Sequence, residues 1–242
     1  MQAKQNGIAC VWEHNGNDTL LYAVDYPGAY SRGADLQEAV EKMKHEIPAF
    51  CAWAHLPVPE DCAPTILQEA SCGLQVRDAD SDVLFCQELQ PLTAAEYQCM
   101  KALTLRSASD FLRLYAAIPD KDRSALPPRR TFYGAVPRSA EEMYVHTKNV
   151  NAYYFGEIGI DADNEGTILE CRRRGFDALE RHEDFLSNPV TEGSYGELWT
   201  LRKVLRRFLW HDRIHAKAMY RMAVTLFGKE QIPDVFFFGG IL

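Results

Sequence analysis

Several features that define common protein classes are missing from this 242-residue sequence. No uninterrupted apolar stretch approaches the roughly 18 residues or more that a membrane-spanning helix needs. The opening residues, MQAKQNGIACVW, contain neither a basic segment nor a long apolar one, so we expect no secretory signal and a cytoplasmic protein. A phosphate-binding glycine loop, a G-x-S-x-G elbow and a dinucleotide fingerprint are also missing. The sequence therefore predicts no membrane-spanning helix and no enzyme of those three classes.

The cysteines form no recognisable pattern. Their number, seven, is odd, and no two of them are spaced as C-x-x-C, so neither a disulfide framework nor a cysteine zinc ribbon is predicted. We expect free, buried thiols.

Basic residues are scarce in the first part of the chain. Residues 1–90 contain 5 Lys and Arg against 14 Asp and Glu, a balance of −9, whereas residues 91–242 have a balance of +1. A segment this acidic repels a phosphate backbone, so nucleic acid is an unlikely partner.

The sequence pattern changes near residue 90, which predicts two domains, 1–90 and 91–242. In the first, IACVWE and TLLYAVDY are typical of strands, and the intervening HNGND suits a hairpin turn. A helix is predicted from Asp35, whose spacing to Glu38 fits a capping box, to the vicinity of Pro48. Further extended segments are predicted at CGLQVRD and DVLFCQEL.

The stretch YPGAYSRGADLQEAVEKMKHEIPAF, within residues 1–90, resembles the HicB-like family. The resemblance implies a small α+β module, often the antitoxin half of a toxin–antitoxin pair. An interaction or dimerisation module that recognises another protein is the alternative.

Residues 91–242 show helical periodicity, which predicts an all-α, up-down four-helix bundle. Three helix starts fit the capping-box pattern, namely Thr93 with Glu96, Ser139 with Glu142, and Ser194 with Glu197. The predicted helices span about residues 93–118, 139–160, 167–186 and 194–227. A proline-rich connection, residues 119–138, is long enough either to cover a site or to strap the bundle.

Three histidines occupy positions where core residues belong. His211 and His215 lie one turn apart on the apolar stripe of the last helix, and His146 lies on that of the second helix. Each buried neutral ring needs partners for both nitrogens or costs roughly 1–3 kcal/mol. A shared divalent cation removes that cost, and three ligands leave a coordination position open, as in catalytic sites. A satisfied core histidine is the simpler alternative for any one of them.

The segments SAEEMYVHTKNVNAYYFGEIG and LRKVLRRFLWHDRIHAKAMYRMA, within residues 91–230, resemble the DinB/YfiT-like superfamily of metal-binding bundles. That family has one histidine on its second helix and an H-x-x-x-H pair on its last, which match His146, His211 and His215. The resemblance implies a Zn or Ni ion, a homodimer, and chemistry with a low-molecular-weight thiol cosubstrate.

These observations predict a metal-dependent transferase or hydrolase that uses a small thiol or water as nucleophile on a small-molecule substrate. Asp212 and Glu142 are either partners for ring N–H groups or solvated charges, and His182 is either a fourth ligand or a surface residue. No residue is indicated as general acid or base. The alternative function is a non-enzymatic, protein-binding or antitoxin-like module with a structural or vestigial histidine site.

Two further expectations concern surfaces. Solvated positions are predicted for the basic residues that flank the histidine stripe and for a run of three arginines on the third helix. These residues are Arg202, Arg206, Arg213, Lys217, Arg172, Arg173 and Arg174. The apolar end of the chain, DVFFFGGIL, is expected to dock onto the protein or a second subunit.

Overall fold

The computed structural model describes residues 7–76, 80–131 and 134–240. Over these residues the fold is mixed α/β, with five α-helices, a four-stranded mixed sheet and two short two-stranded ribbons. The chain divides into two compact units, Met1–Glu88 with Phe237–Leu242 and Leu89–Phe236. None of the helices in the described part has the length and apolar character required to cross a membrane.

The first unit is a four-stranded sheet with one helix. Strand β1 is antiparallel to β2 and parallel to β4, and the sheet order is β3-β2-β1-β4. The predicted hairpin is confirmed, since Asn15 pairs with Asp18 and Gly16 takes the positive φ of 62° that a tight turn requires. The elements are β1 (Ile8–Asn15), β2 (Asp18–Ala23), β3 (Tyr30–Gly33), α1 (Leu36–Ala54) and β4 (Pro64–Ser71).

Helix α1 begins as predicted but ends later. The Asp35 side chain accepts a hydrogen bond from the amide of Glu38, as a capping residue does. The predicted end near Pro48 is wrong, because the helix continues to Ala54. Phe50 and Trp53 in the added turns are fully buried, and this packing outweighs the hydrogen bond that a proline removes.

The predicted extended segments after α1 are wrong where the structure describes them. In CGLQVRD, residues 72–76 form no strand, and residues 77 and 78 lie outside the described residues. In DVLFCQEL, the amides of Asp82 and Val83 donate to the carboxylate of Glu13, and Cys86–Leu89 forms a short 3-10 turn. The strand is instead β4, which alternates between half-buried and exposed positions beside β1.

The second unit contains four helices around one core. Helix α5 packs against α2 and α3, and helix α4 packs against the same two helices. Aromatic rings fill the space between them, with Phe155, Phe176 and Phe208 all fully buried. The helices are α2 (Ala94–Ala117), α3 (Ala140–Gly156), α4 (Ile168–Leu179) and α5 (Leu201–Phe227).

Two of the three capping boxes predicted for residues 91–242 are confirmed. At Thr93 and at Ser139 the hydroxyl accepts the amide of the residue three positions on, and that residue's carboxylate accepts the capping residue's own amide. The same arrangement at Thr167 starts α4, which ends at Leu179 and not near residue 186.

The predicted capping box at Ser194 is wrong. Residues Ser194–Gly196 form a short 3-10 turn in which Tyr195 has a φ of 62°, a conformation that no helix continues through. The flanking segments Thr191–Glu192 (β7) and Leu198–Trp199 (β8) pair with each other. Helix α5 therefore starts only after Thr200, whose hydroxyl accepts the amide of Lys203.

The described part of the apolar tail is packed. Phe236 and Phe238 are 0% and 1% exposed, whereas Phe237 between them is 46% exposed. The short 3-10 turn Phe238–Gly240 contacts α1 within the first unit. The expectation that this segment docks onto the protein is confirmed for these residues, and Ile241 and Leu242 lie outside the described part.

Candidate metal centre

The helices of the second unit bring the three predicted histidines together. His211 and His215 lie on one face of α5, because a spacing of four residues is close to one helical turn. The same stripe holds Phe208 and Met219, both fully buried, so it faces the core. Helix α3 packs against α5 and presents His146 to the pair.

The three rings are within reach of a common ion. The Nε2 atoms of His146 and His211 are 3.1 Å apart. The centroid of the His215 ring lies 4.6 Å from the centroid of the His146 ring and 4.5 Å from that of the His211 ring. One nitrogen of each ring lies within 4.8 Å of the other two. Two nitrogens bound to one tetrahedral ion at about 2.1 Å are roughly 3.4 Å apart. The observed separation of 3.1 Å lies just below this distance, and the limit of 4.8 Å lies above it. Among the described residues, no other group of His, Cys, Asp or Glu side chains meets the same criterion.

The surroundings of His146 and His211 favour the neutral imidazole, which is the form that binds a metal. Burial lowers the pKa of His211 well below its usual value, and repulsion from the neighbouring histidines and from Arg207 and Arg172 lowers it further. The pKa of His146 is also lowered, because protein atoms crowd its ring even though part of the residue is exposed.

His211 has one nitrogen that the protein does not satisfy. Its Nε2 atom faces the Nε2 atom of His146, but its Nδ1 atom is buried and has no hydrogen-bond partner among the described residues. Either tautomer of the ring therefore leaves Nδ1 without a protein partner. Three closely spaced imidazoles, two of which face each other through their Nε2 atoms, fit a bound divalent cation.

The cluster lies at the edge of the core and is not sealed within it. His211 is 9% exposed, His215 is half-buried and His146 is exposed. A depression of about 1020 Å³ adjoins His146. One wall comes from α3, and the other from residues 128–130 and 135–138 of the long proline-rich connection. This connection therefore lines the depression beside His146, one of the three histidines.

Neither acidic residue considered as a partner for the rings makes such a contact. Asp212 is fully buried and forms an ion pair with Arg172, whose Nη1 and Nη2 atoms each lie 3.3 Å from a carboxylate oxygen. The carboxylate of Glu142 accepts hydrogen bonds from the amides of Arg138 and Ser139 at the start of α3. His182 is exposed and takes no part in the cluster.

The prediction of solvated basic faces is wrong for three arginines. Arg172 and Arg213 are fully buried and Arg206 is 3% exposed, whereas Arg202 and Lys217 are half-buried and Arg173 and Arg174 are exposed. The guanidinium of Arg172 lies 3.8 Å from the centroid of the Phe208 ring, which shows how the core accommodates it. Arg206 and Arg213 lie on α5, which packs against both α2 and α3, and Arg172 lies on α4, which packs against the same two helices.

Sequence reasoning did not single out Arg207, which borders the cluster. It is 9% exposed, and its guanidinium lies 4.7 Å from the Trp210 ring and 5.6 Å from the Tyr154 ring. The Tyr154 ring in turn stands edge-on to His211 at 6.0 Å. One signal was present in the sequence, since Arg207 is four residues before His211 and therefore on the same side of α5.

Comparisons of the chain with protein-family models, with curated proteins and with solved structures find no match.

Proposed function

We propose that the second unit is a metal-dependent enzyme domain of the DinB/YfiT-like kind, an up-down four-helix bundle that binds one Zn or Ni ion through His146, His211 and His215. The observation that carries the proposal is the convergence of these three side chains, which come from α3 and α5 and are up to 69 residues apart in the chain. The lowered pKa values of His146 and His211 support it, because they favour the neutral form of the ring that binds a metal.

The proposed reaction is transfer or hydrolysis with a small thiol or water as nucleophile. When bound to three neutral imidazoles, a divalent cation keeps its charge and lowers the pKa of a coordinated water or thiol, so that a nucleophile forms at neutral pH. The two rings of α5, buried His211 and half-buried His215, hold one side of the site. The exposed side of His146 adjoins the depression, which gives a small molecule a way in.

Metal content tests the binding part of the proposal. The full chain is equilibrated with Zn²⁺ or with Ni²⁺, freed of unbound metal and analysed for bound metal. We expect about one ion per chain, and loss of that ion in the His211→Ala, His215→Ala double variant. The matched control is His182→Ala, which removes an exposed histidine outside the cluster and is expected to retain the ion. Metal-free wild type, or full metal content in the double variant, contradicts the proposal.

Activity tests the catalytic part. The metal-loaded chain is assayed with pairs of small thiols and electrophiles and with hydrolysable esters and amides, and each rate is compared with that of the double variant. We expect turnover that requires the histidines. If the ion is bound but wild type and double variant have the same rates throughout, the site is structural, and the non-enzymatic, protein-binding alternative replaces the enzyme.

A further inference from the structure

The depression beside His146 has the volume of a small-molecule site. Its volume of about 1020 Å³ is at the upper end of the range of roughly 300–1000 Å³ that is usual for ligand pockets. His146 is one of its lining residues, so a molecule in this space lies next to a proposed metal ligand. The chemistry of the walls therefore bears on which substrate the proposed enzyme accepts.

One wall is a face of α3. Glu141, Glu142, Val145 and His146 line it together. Spacings of three and four residues place these side chains on one face of the helix. Val145 directly precedes His146 and is 40% exposed, so an apolar side chain stands open beside the histidine.

The opposite wall comes from the proline-rich connection. Its main chain is held by a short ribbon, β5 (Arg130–Thr131) paired with β6 (Gly134–Ala135), and by a hydrogen bond from the Val136 amide to the Arg129 carbonyl. Most of the exposed surface of the depression is apolar. The apolar residues of this wall are half-buried or exposed, namely Pro128, Ala135, Val136 and Pro137.

The charged side chains of the lining are of both signs. Three arginines and two glutamates line the depression, and some of them have partners in the protein. Glu142 accepts hydrogen bonds from amides at the start of α3, and Arg129 has an interaction within the chain. Glu141 accepts the hydroxyl hydrogen of Tyr115. A lining of mixed charge does not select an anion over a cation, whereas its apolar surface favours an apolar group.

We propose that the depression binds the apolar part of a substrate, an aliphatic or aromatic group packed against Val145 and Val136, while the other end of the molecule reaches the ion beside His146. This proposal rests on the proposed function, because the ion at the histidines is what the other end of the molecule meets. It assigns the substrate class of that site: a small molecule with an apolar group of several carbons, preferred over polar molecules of the same length.

The test uses the full chain loaded with Co²⁺, a spectroscopically visible substitute for Zn²⁺. Binding of a thiol to the ion is followed by the near-ultraviolet absorption of the thiolate–Co²⁺ bond. The probes are the linear alkanethiols from ethanethiol to pentanethiol, in which the thiol stays the same and only the apolar chain grows. We expect the Kd to fall by about two- to fourfold for each added methylene, and so by about tenfold or more over the series. The polar analogue 4-mercaptobutanol, as long as pentanethiol, is expected to bind at least about fivefold more weakly than pentanethiol.

The Val136→Asn, Val145→Asn double variant is expected to reduce the fall in Kd from ethanethiol to pentanethiol to about threefold or less, because polar side chains replace apolar ones on both walls. Val145 is exposed and Val136 is half-buried, so the fold is expected to survive, and circular dichroism and Co²⁺ content check this. The matched control is Val58→Asn, Val190→Asn, the same change at two exposed valines that do not line the depression. It is expected to keep the full dependence on chain length.

The results that overturn this proposal are distinguishable from failure of the proposed function. If wild type binds Co²⁺ but its Kd for the thiols does not depend on chain length, or if 4-mercaptobutanol binds as tightly as pentanethiol, the depression does not select an apolar group. The same conclusion follows if the test variant keeps the full dependence, or if the control variant loses it as fully as the test variant. In these cases the ion is bound and the proposed function stands. If the chain does not bind Co²⁺, Zn²⁺ or Ni²⁺, the proposed function fails and the assignment of its substrate fails with it.

Discussion

At the scale of single residues, Lys203 on α5 is a charged side chain that is fully buried in the second unit. Its side chain is fully buried, with Nζ 2.8 Å from a carboxylate oxygen of Glu197, 2.7 Å from the carbonyl oxygen of Leu198 and 4.8 Å from the centroid of the Trp199 ring. Burial lowers the pKa of Lys203 to about 8, although the ion pair with Glu197 opposes the shift. The charged form is therefore less favourable in the folded chain than in water.

This pKa predicts a particular dependence of stability on pH. Between pH 8 and 10.5 the folded chain loses the Lys203 proton while the unfolded chain still holds it, so the free energy of unfolding rises with pH through this group. We expect wild type to gain stability relative to Lys203→Met across that window, by at most about 3 kcal/mol. Urea unfolding of both proteins at several pH values measures the difference. A difference that stays constant or falls over the window contradicts the prediction.

The residue scale also shows where sequence patterns succeed and fail. His211 and His215 could be predicted to face the core because they continue a stripe that includes Phe208, and a spacing of three or four residues fixes the face of a helix. Arg172 and Arg213 were predicted to be solvated because they are charged. Their burial depends on ring and carboxylate partners that are remote in sequence, such as Asp212 for Arg172, and spacing contains no information about such partners.

At the scale of elements, the contact between α3 and α4 depends on a glycine. A Cβ atom added at Gly175 would lie 2.2 Å from a carbon of the Phe155 ring, and that ring is fully buried against Phe176 and Phe208. Such a distance is far below van der Waals contact, so either the ring or α4 must shift. The absence of a side chain at Gly175 thus sets how closely the two helices approach.

We predict that Gly175→Ala destabilises the protein by about 1–3 kcal/mol, because the strain of overpacking exceeds the gain of up to about 1 kcal/mol in helix propensity. The matched control is Gly156→Ala at the end of α3, where an added Cβ meets nothing within 4 Å. The control is expected to be neutral or slightly stabilising. Urea unfolding of the two variants provides the measurement, and equal effects at both positions would contradict the prediction.

Element boundaries could be predicted where a local signal sets them. The hairpin at Gly16 and the caps at Thr93 and Ser139 depend on residues no more than a few positions apart, and all three are confirmed. Strand β4 was missed because it is defined by parallel pairing with β1, more than 50 residues earlier, and not by its own composition. The start of α5 was misplaced because Ser194 and Glu197 fit a cap by spacing, while the positive φ of Tyr195 prevents a helix there.

At the scale of the whole molecule, the chain returns to its first unit at the end. The change in sequence pattern suggested a boundary at residue 90, and the compact units divide between Glu88 and Leu89. Residues Phe237–Leu242 belong to the first unit, although they follow the last helix of the second. The phenylalanines near this end predict burial, but the sequence alone does not specify the surface against which they pack.

Two neighbouring phenylalanines, Phe237 and Phe238, provide a test of whether the end of the chain packs against the first unit. Phe238 is 1% exposed in the short turn that contacts α1, whereas Phe237 is 46% exposed. Removing a buried phenylalanine side chain costs about 3–5 kcal/mol, so we predict that Phe238→Ala lowers the free energy of unfolding by about that amount and that Phe237→Ala lowers it by much less. Both variants are expected to bind metal as wild type does, because all three histidines belong to the second unit. Denaturant unfolding followed by circular dichroism, with metal content measured on the same samples, separates the two effects. Equal destabilisation by the two variants would mean that the final turn is not anchored through Phe238.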